Sequence, residues 1–188
     1  MSEPTGFMFL RLTWAGHRVK FPLTIPGSGM KELTVQPEPS HPVGRKGLVI
    51  ASAWAQLEQE DMTGLLILDG DVAIDPWDYH VMFEAIHADP AAVHIAPAKL
   101  WPVSKGDVFG WSWAHCKENN FTHLPTPDPD FFSFNFTYIP RRVIDLAIKA
   151  GLKNWKFPHV DRLMSRTART AGVRMNVVDA CQPKHMHY

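Results

Sequence analysis

Cysteine is scarce in this chain: 188 residues contain two, Cys116 and Cys181. Two thiols so far apart make neither a disulfide framework nor a zinc cage, so both are expected to be free and buried or half-buried, as in a reducing compartment. Net charge is lacking too. Lys plus Arg and Asp plus Glu each number 19, which removes any global field that would draw the chain to nucleic acid or anionic lipid. No run approaches the roughly 18 apolar residues of a membrane span. The N-terminus "MSEPTGFMFLRL" carries an acidic residue where a secretory signal needs positive charge. A soluble, cytoplasmic protein is expected, and internal repeats and low-complexity tracts are absent.

What is present is an ordinary globular composition, 45% hydrophobic and 20% charged. A chain of this length suits a single domain over 1–188, burying roughly two thirds of its unfolded surface. The 16 Pro, 10 His and 7 Trp gather in loops, where aromatic residues often form binding surfaces.

Residues 7–14, "FMFLRLTW", read as a strand and 31–36, "KELTVQ", as another, with Pro- and Gly-rich stretches between and after them. In "KGLVIASAWAQLEQE", Val49, Ala53 and Leu57 fall at i, i+4, i+8 beside Ile50 and Trp54, the spacing of a helix with one face inward. "LLIL" (65–68) is a continuous apolar run, the pattern of a strand covered on both faces. Asp75 and Pro76 supply an N-cap and a first helical position, with Asp78 in the first turn, and "AVHIAPA" (92–98) reads as a strand. From Lys99 to about Asp130 no periodicity survives, and Trp101, Trp111, Trp113 and Phe121 sit in what reads as one long binding loop or lid. "FFSFNFTYI" (131–139) alternates as one strand. Helices follow from Pro140 to Gly151 and over 159–172, then a last strand, "VRMNVVDA", and the tail "CQPKHMHY". Helices alternating with strands predict an α/β domain with a mostly parallel sheet and right-handed crossovers.

The chemistry concentrates in "GLLILDGDVAIDP". Buried charge is costly unless compensated, yet Asp69 and Asp71 close the most buried strand, at the end where α/β sheets collect ligands. Side chains two apart on an extended segment share a face, and Gly70 is expected to leave room for a ligand's approach. Such hard oxygen donors suit Mn²⁺ or Mg²⁺. Arg45 and Lys46 open a helix, where cationic side chains and free amides can meet phosphate. His185 and His187, two apart on an extended tail, can face the same way. His80, His87 and His94 fall on element faces without a functional claim.

The order of "GRKGLVIASAWAQLEQEDMTGLLILDGDVAIDP", "FPHVDRLMSRTARTAGVRM" and the terminal "HMH" resembles the GT-A nucleotide-sugar glycosyltransferases of DxD type, over residues 44–98 and 131–188. A compact phage or bacterial member would have this size. The resemblance implies a GT-A (Rossmann-like) single domain, with 1–98 the nucleotide-sugar half and 99–188 the acceptor half ending in a metal-binding tail. It implies Asp71 as direct ligand of Mn²⁺ (or Mg²⁺), Asp69 on the donor ribose or a metal-bound water, and His185 or His187 as the C-terminal metal ligand. Asp161 would be the general base of an inverting transfer from a nucleoside-diphosphate sugar such as a UDP-sugar to a hydroxyl acceptor on a protein or glycan. Trp14 and Arg18 are candidates to hold base or phosphate, and Lys99 and Asn135 to contact donor or acceptor. Two departures stand out: the Pro-x-Tyr-Asn-like turn after the first strand is missing, and Val160 precedes Asp161 where Glu is common.

Two other functions share parts of this pattern. A haloacid-dehalogenase-like phosphatase also places Asp-x-Asp after an apolar strand, with the first Asp as nucleophile. A non-catalytic module could hold Ca²⁺ with the alternating Asp of "DGDVAID", although an EF-hand's downstream Glu is absent.

Overall fold

The computed structural model describes residues 6–14, 31–35, 45–57, 62–97, 99–101, 115–116, 129, 131–154 and 159–186. In chain order the elements are β1 (Gly6–Trp14), β2 (Lys31–Val35), α1 (Lys46–Leu57), β3 (Met62–Asp69), β4 (Val72–Ala73), α2 (Pro76–Ala88), β5 (Val93–Ile95) and β6 (Lys99–Trp101). There follow β7 (His115–Cys116), β8 (Phe131–Phe132), β9 (Phe136–Pro140), α3 (Arg141–Lys149), a 3-10 turn at Leu152–Asn154, α4 (His159–Thr170), β10 (Met175–Val177) and β11 (Lys184–Met186). Among the described residues no helix is long and apolar enough to cross a membrane.

Six strands form the central sheet in the order β10-β5-β9-β3-β1-β2. Every pairing is parallel except those of β9, which runs against both of its neighbours, β3 and β5. Five carboxyl ends therefore share one edge of the sheet. Leu65 through Leu68 of β3 are all fully buried, as expected for an apolar run covered on both faces. Pleating alone sorts them. Leu65 and Ile67 point, with Leu10 and Leu12, into a core made by α1, α3 and α4. Leu66 and Leu68 point, with Phe9 and Tyr138, towards Met82 and Ile86 of α2. The result is the predicted mixed α/β domain, a mostly parallel sheet flanked by four helices.

Local signals set the helix ends. Asp75 caps α2 in a reciprocal box: its side chain accepts from the Asp78 amide at 2.9 Å, and the Asp78 carboxylate accepts from the Asp75 amide at 3.1 Å. Beyond α3 and α4 stand Gly151 at φ 89° and Gly172 at φ 64°, the left-handed turn that favours glycine.

Three expectations change. Lys99–Trp101 opens the expected loop as a strand, because β11 pairs alongside it; Trp111, Trp113 and Phe121 lie outside the described residues. "VRMNVVDA" does not hold the last strand, since the tail supplies β11 between β4 and β6. The run 131–139 is two strands, not one. Between them the Thr137 hydroxyl donates to the Ser133 carbonyl at 2.8 Å. Across that break the even-numbered aromatic residues change sides: Phe132 and Phe134 lie in the first core, Phe136 and Tyr138 in the second. A local irregularity in a strand re-aims all that follows.

Gly64 shows how tightly the central strands approach. A Cβ there would stand 2.3 Å from the Ile139 carbonyl oxygen and 2.8 Å from the Tyr138 ring. Gly64→Ala is expected to lower stability by about 1–3 kcal/mol or more through overpacking, read as a reduced midpoint in urea denaturation; an unchanged midpoint would mean β3 and β9 can separate freely.

Candidate active site

Asp69 ends β3, and its amide lies 3.2 Å from both the Phe134 and Asn135 carbonyl oxygens. The break in the 131–139 run is thus what closes over the strand tip. Gly70 follows. A Cβ on it would meet the Leu12 carbonyl oxygen at 2.7 Å and Thr13 at 3.3 Å. The glycine is required so that the turn can press against β1, not to make room for a ligand as its sequence position suggests. Beneath the turn lies Arg11, 3% exposed, whose guanidinium donates to the Gly70 carbonyl at 3.3 Å. Arg11 is not among the candidates that the motifs single out; its signal in the sequence is a lone charge inside the apolar run "FMFLRLTW".

Lys46, the first residue of α1, is 2% exposed and turns inward. Its Nζ sits 2.7 Å from Asp69 Oδ1 and 3.0 Å from Oδ2, and 4.6 Å from the Phe134 ring centroid. Burial by itself would lower the lysine's pKa, but Asp69, Asp161 and Asp71 together hold it above its ordinary value. For Asp69 burial prevails over Lys46, and with repulsion from Asp71 its pKa rises. The charge of Lys46 is directed into the protein, whereas Arg45 beside it is exposed.

Asp71 faces the tail. Its Oδ2 is 3.2 Å from His185 Nε2. Burial pushes the Asp71 pKa up, but the His185 hydrogen bond and charge, and Lys46, bring it below the ordinary carboxylate value. His185 moves the other way: burial opposes its charged form, yet Asp71 and Asp69 raise it. Register explains the meeting, because β11 runs antiparallel to β4 with His185 opposite Val72. Asp78 anchors the approach. Its Oδ1 accepts from the Gln182 amide at 2.7 Å, and the Cys181 thiol donates to its carbonyl at 3.2 Å. Burial pushes that thiol up to about 12, so the free cysteine is a packing group, as expected.

Asp161 lies in the first turn of α4, 6% exposed. Burial pushes its pKa up to about 6 against the pull of Lys46, with repulsion from Asp69 adding to the rise and the Phe134 amide hydrogen-bonding the carboxylate. One turn on, Ser165 Oγ donates to the Asp161 carbonyl at 2.8 Å and accepts from the Phe132 amide at 3.0 Å. α4 is thereby tied to β8, with its first turn beside the β3 tip. Asp161 Oδ1 and Asp71 Oδ1 are buried and have no hydrogen-bond partner among the described residues.

The remaining candidates are more scattered. Trp14 ends β1 at the same edge of the sheet, Asn135 is buried beside Asp69, and Lys99 begins β6. Arg18 and His187 lie outside the described residues. His94 is a core histidine with Nε2 2.8 Å from the Asp89 carbonyl and its pKa lowered by burial; His80 and His87 are exposed on α2.

Among the described residues no group of three or more His, Cys, Asp or Glu side chains is placed to cage a metal ion. Mg²⁺-type sites do without one, using one or two carboxylates with waters and substrate phosphates. Asp71 fits that mode as a carboxylate at the strand tip, with the imidazole of His185 beside it. The 3.2 Å contact between Asp71 and His185 is a hydrogen bond that a cation would replace, and Asp71 Oδ1 lacks a partner among the described residues.

No family model matches the chain, and no curated protein matches it. Among solved structures it is similar to A197 from STIV, with a TM-score of 0.59 and 15% identity over 97% of this chain and 87% of that one. A glycosyltransferase involved in the glycosylation of the major capsid of PBCV-1 aligns at a TM-score of 0.41 and 12% identity, over 92% and 82% of the two chains. The first likeness establishes a shared fold and nothing beyond it. The mostly parallel sheet, its single reversed strand and the four helices agree with the expected GT-A-like class.

The ion pair generates a stability test. Lys46→Met would leave Asp69 buried and uncompensated, a loss of about 3–5 kcal/mol. Adding Asp69→Asn should recover much of it. Denaturation curves showing equal stability for wild type and Lys46→Met would refute the coupling.

Proposed function

We propose that this protein is a metal-dependent glycosyltransferase that moves a sugar from a nucleoside-diphosphate sugar to a hydroxyl acceptor, with inversion. One observation carries the reading. Asp71, at the tip of the central strand, and His185, from the far end of the chain, come within 3.2 Å of each other, while the buried carboxylate of Asp161 is electrostatically coupled to the same cluster through Lys46 and Asp69.

In this reading Asp71 and His185 hold Mn²⁺ or Mg²⁺. When bound, the cation offsets charge developing on the departing diphosphate. Lys46 holds Asp69 in place at 2.7 Å and opposes the rise in pKa that burial imposes on it, so that Asp69 can meet the donor ribose or a metal-bound water. Asp161 Oδ1 accepts the acceptor hydroxyl's proton as that oxygen attacks the anomeric carbon. A base with a pKa near 6 is ionised at neutral pH and still basic enough to draw a proton in the transition state. The strand-tip half of the chain, 1–98, would bind the donor and 99–188 would present the acceptor, a protein or glycan.

Asp71→Ala should remove the thermal upshift that UDP or GDP with Mn²⁺ gives beyond Mn²⁺ alone, and abolish donor hydrolysis and transfer across a panel of sugar nucleotides. Full activity in that variant would refute the metal assignment. The pH dependence tests the base separately. Asp161 is ionised above about 6 and protonated below it, so kcat/KM should fall on the acid side of that value. Asp161→Asn should cut transfer by about 10²–10⁴-fold while leaving the nucleotide upshift in place. Wild-type turnover in this variant removes Asp161 as base.

A further inference from the structure

The edge of the sheet opposite the acidic cluster carries a second concavity. Where β3 and β10 begin and β9 ends, a cavity of about 580 Å³ opens, well within the range of small-molecule sites. Its floor is apolar, built from Met62, Pro90, Pro140 and Val173. Among the described residues three guanidinium groups, those of Arg141, Arg142 and Arg174, stand around it against one carboxylate, Asp89.

The three arginines are not equivalent. Arg174 is ion-paired with Asp89. Arg141 lies 3.7 Å from Asp145, donates to the Met62 carbonyl at 3.4 Å and sits 5.4 Å from the Trp54 ring centroid. Arg142 is exposed and has no partner among the described residues. Among the described residues the charge of the lining is therefore positive, and the one uncommitted donor set belongs to Arg142. The start of α3 adds to the same field, since Pro140 provides no side-chain cap for its first amides. Gly172 leaves one wall open: among the described residues nothing lies within 4 Å of where its Cβ would be.

We propose that this cavity binds an amphipathic organic anion, its apolar body on the Met62–Pro90–Pro140–Val173 floor and its carboxylate or phosphate head on Arg142. Arginine's planar fork matches both head groups in two-point hydrogen bonding. The floor distinguishes this site from one for inorganic phosphate, which has no use for apolar surface. The nucleotide donor is separated from it by the length of β3, since the acidic turn lies at the other end of that strand. Each half of the ligand is expected to bind weakly alone, because an exposed ion pair is screened by water and salt.

Calorimetric titration of the full chain with octyl phosphate, octanoate, 1-octanol and inorganic phosphate, each below its aggregation limit, tests this. At least one of the two amphipathic anions should bind once per chain, about tenfold or more tighter than octanol or inorganic phosphate, and whichever binds tighter identifies the preferred head. Arg142→Gln, at an exposed position, should weaken that binding about tenfold, the loss of a charged hydrogen bond. Ala91→Trp, which fills the cavity from its exposed rim, should abolish it with the thermal midpoint unchanged. UDP with Mn²⁺ should not compete. Absence of saturable binding by both anions, octanol binding as tightly as either, or undiminished binding in both variants would overturn the proposal.

Discussion

The ion pair between Lys46 and Asp69 is the contact on which the rest of this structure depends. A strand buried on both faces cannot end in a carboxylate without a compensating charge. Lys46 supplies it from the first residue of α1, reaching inward from a helix whose other buried side chains, those of Ile50, Ala53 and Trp54, are apolar. The pair fixes α1 to the tip of β3. It also sets the potential felt by Asp71 and Asp161, because both carboxylates are coupled to the same ammonium group. Arg11 adds a second buried cation from below, on the Gly70 carbonyl. The acidic turn is thus held by two positive side chains of the protein before any metal or substrate is considered.

Around that centre the fold gathers pieces remote in sequence. The break at Ser133–Asn135 lets two carbonyl groups meet the Asp69 amide and lets the Phe134 amide meet the Asp161 carboxylate. Asp78 serves two segments at once, closing the capping box of α2 and receiving the Gln182 amide, which delivers His185 to Asp71. A helix cap has become the anchor of a chain terminus. Because such contacts share residues, a change at one should be felt at its neighbours.

The two edges of the sheet differ in electrostatic character. Three carboxylates, Asp69, Asp71 and Asp161, and three basic side chains, Lys46, Arg11 and His185, crowd the end of β3, mostly out of solvent. At the opposite edge the arginines are half-exposed or exposed around an apolar hollow. Among the described residues the two ends of β3 are thus chemically distinct: a buried cluster of mixed charge at one, exposed arginines around an apolar hollow at the other.

The apolar run before Asp69, the helix periods, the Asp75–Pro76 start and the glycines after α3 and α4 were all legible because they are local: burial pattern and backbone preference depend on near neighbours in the chain. The α/β class follows from their order. The acidic turn, Asp161 and the tail histidines could be named as candidates, but not their partners. That Lys46 faces Asp69 rather than solvent, that Gly70 yields to the Leu12 carbonyl, that Arg11 supports the turn, and that the tail is a strand were decided only by tertiary structure. Each depends on strand register or on a contact between distant segments, and hydrophobic periodicity reports that a residue is covered without reporting what covers it.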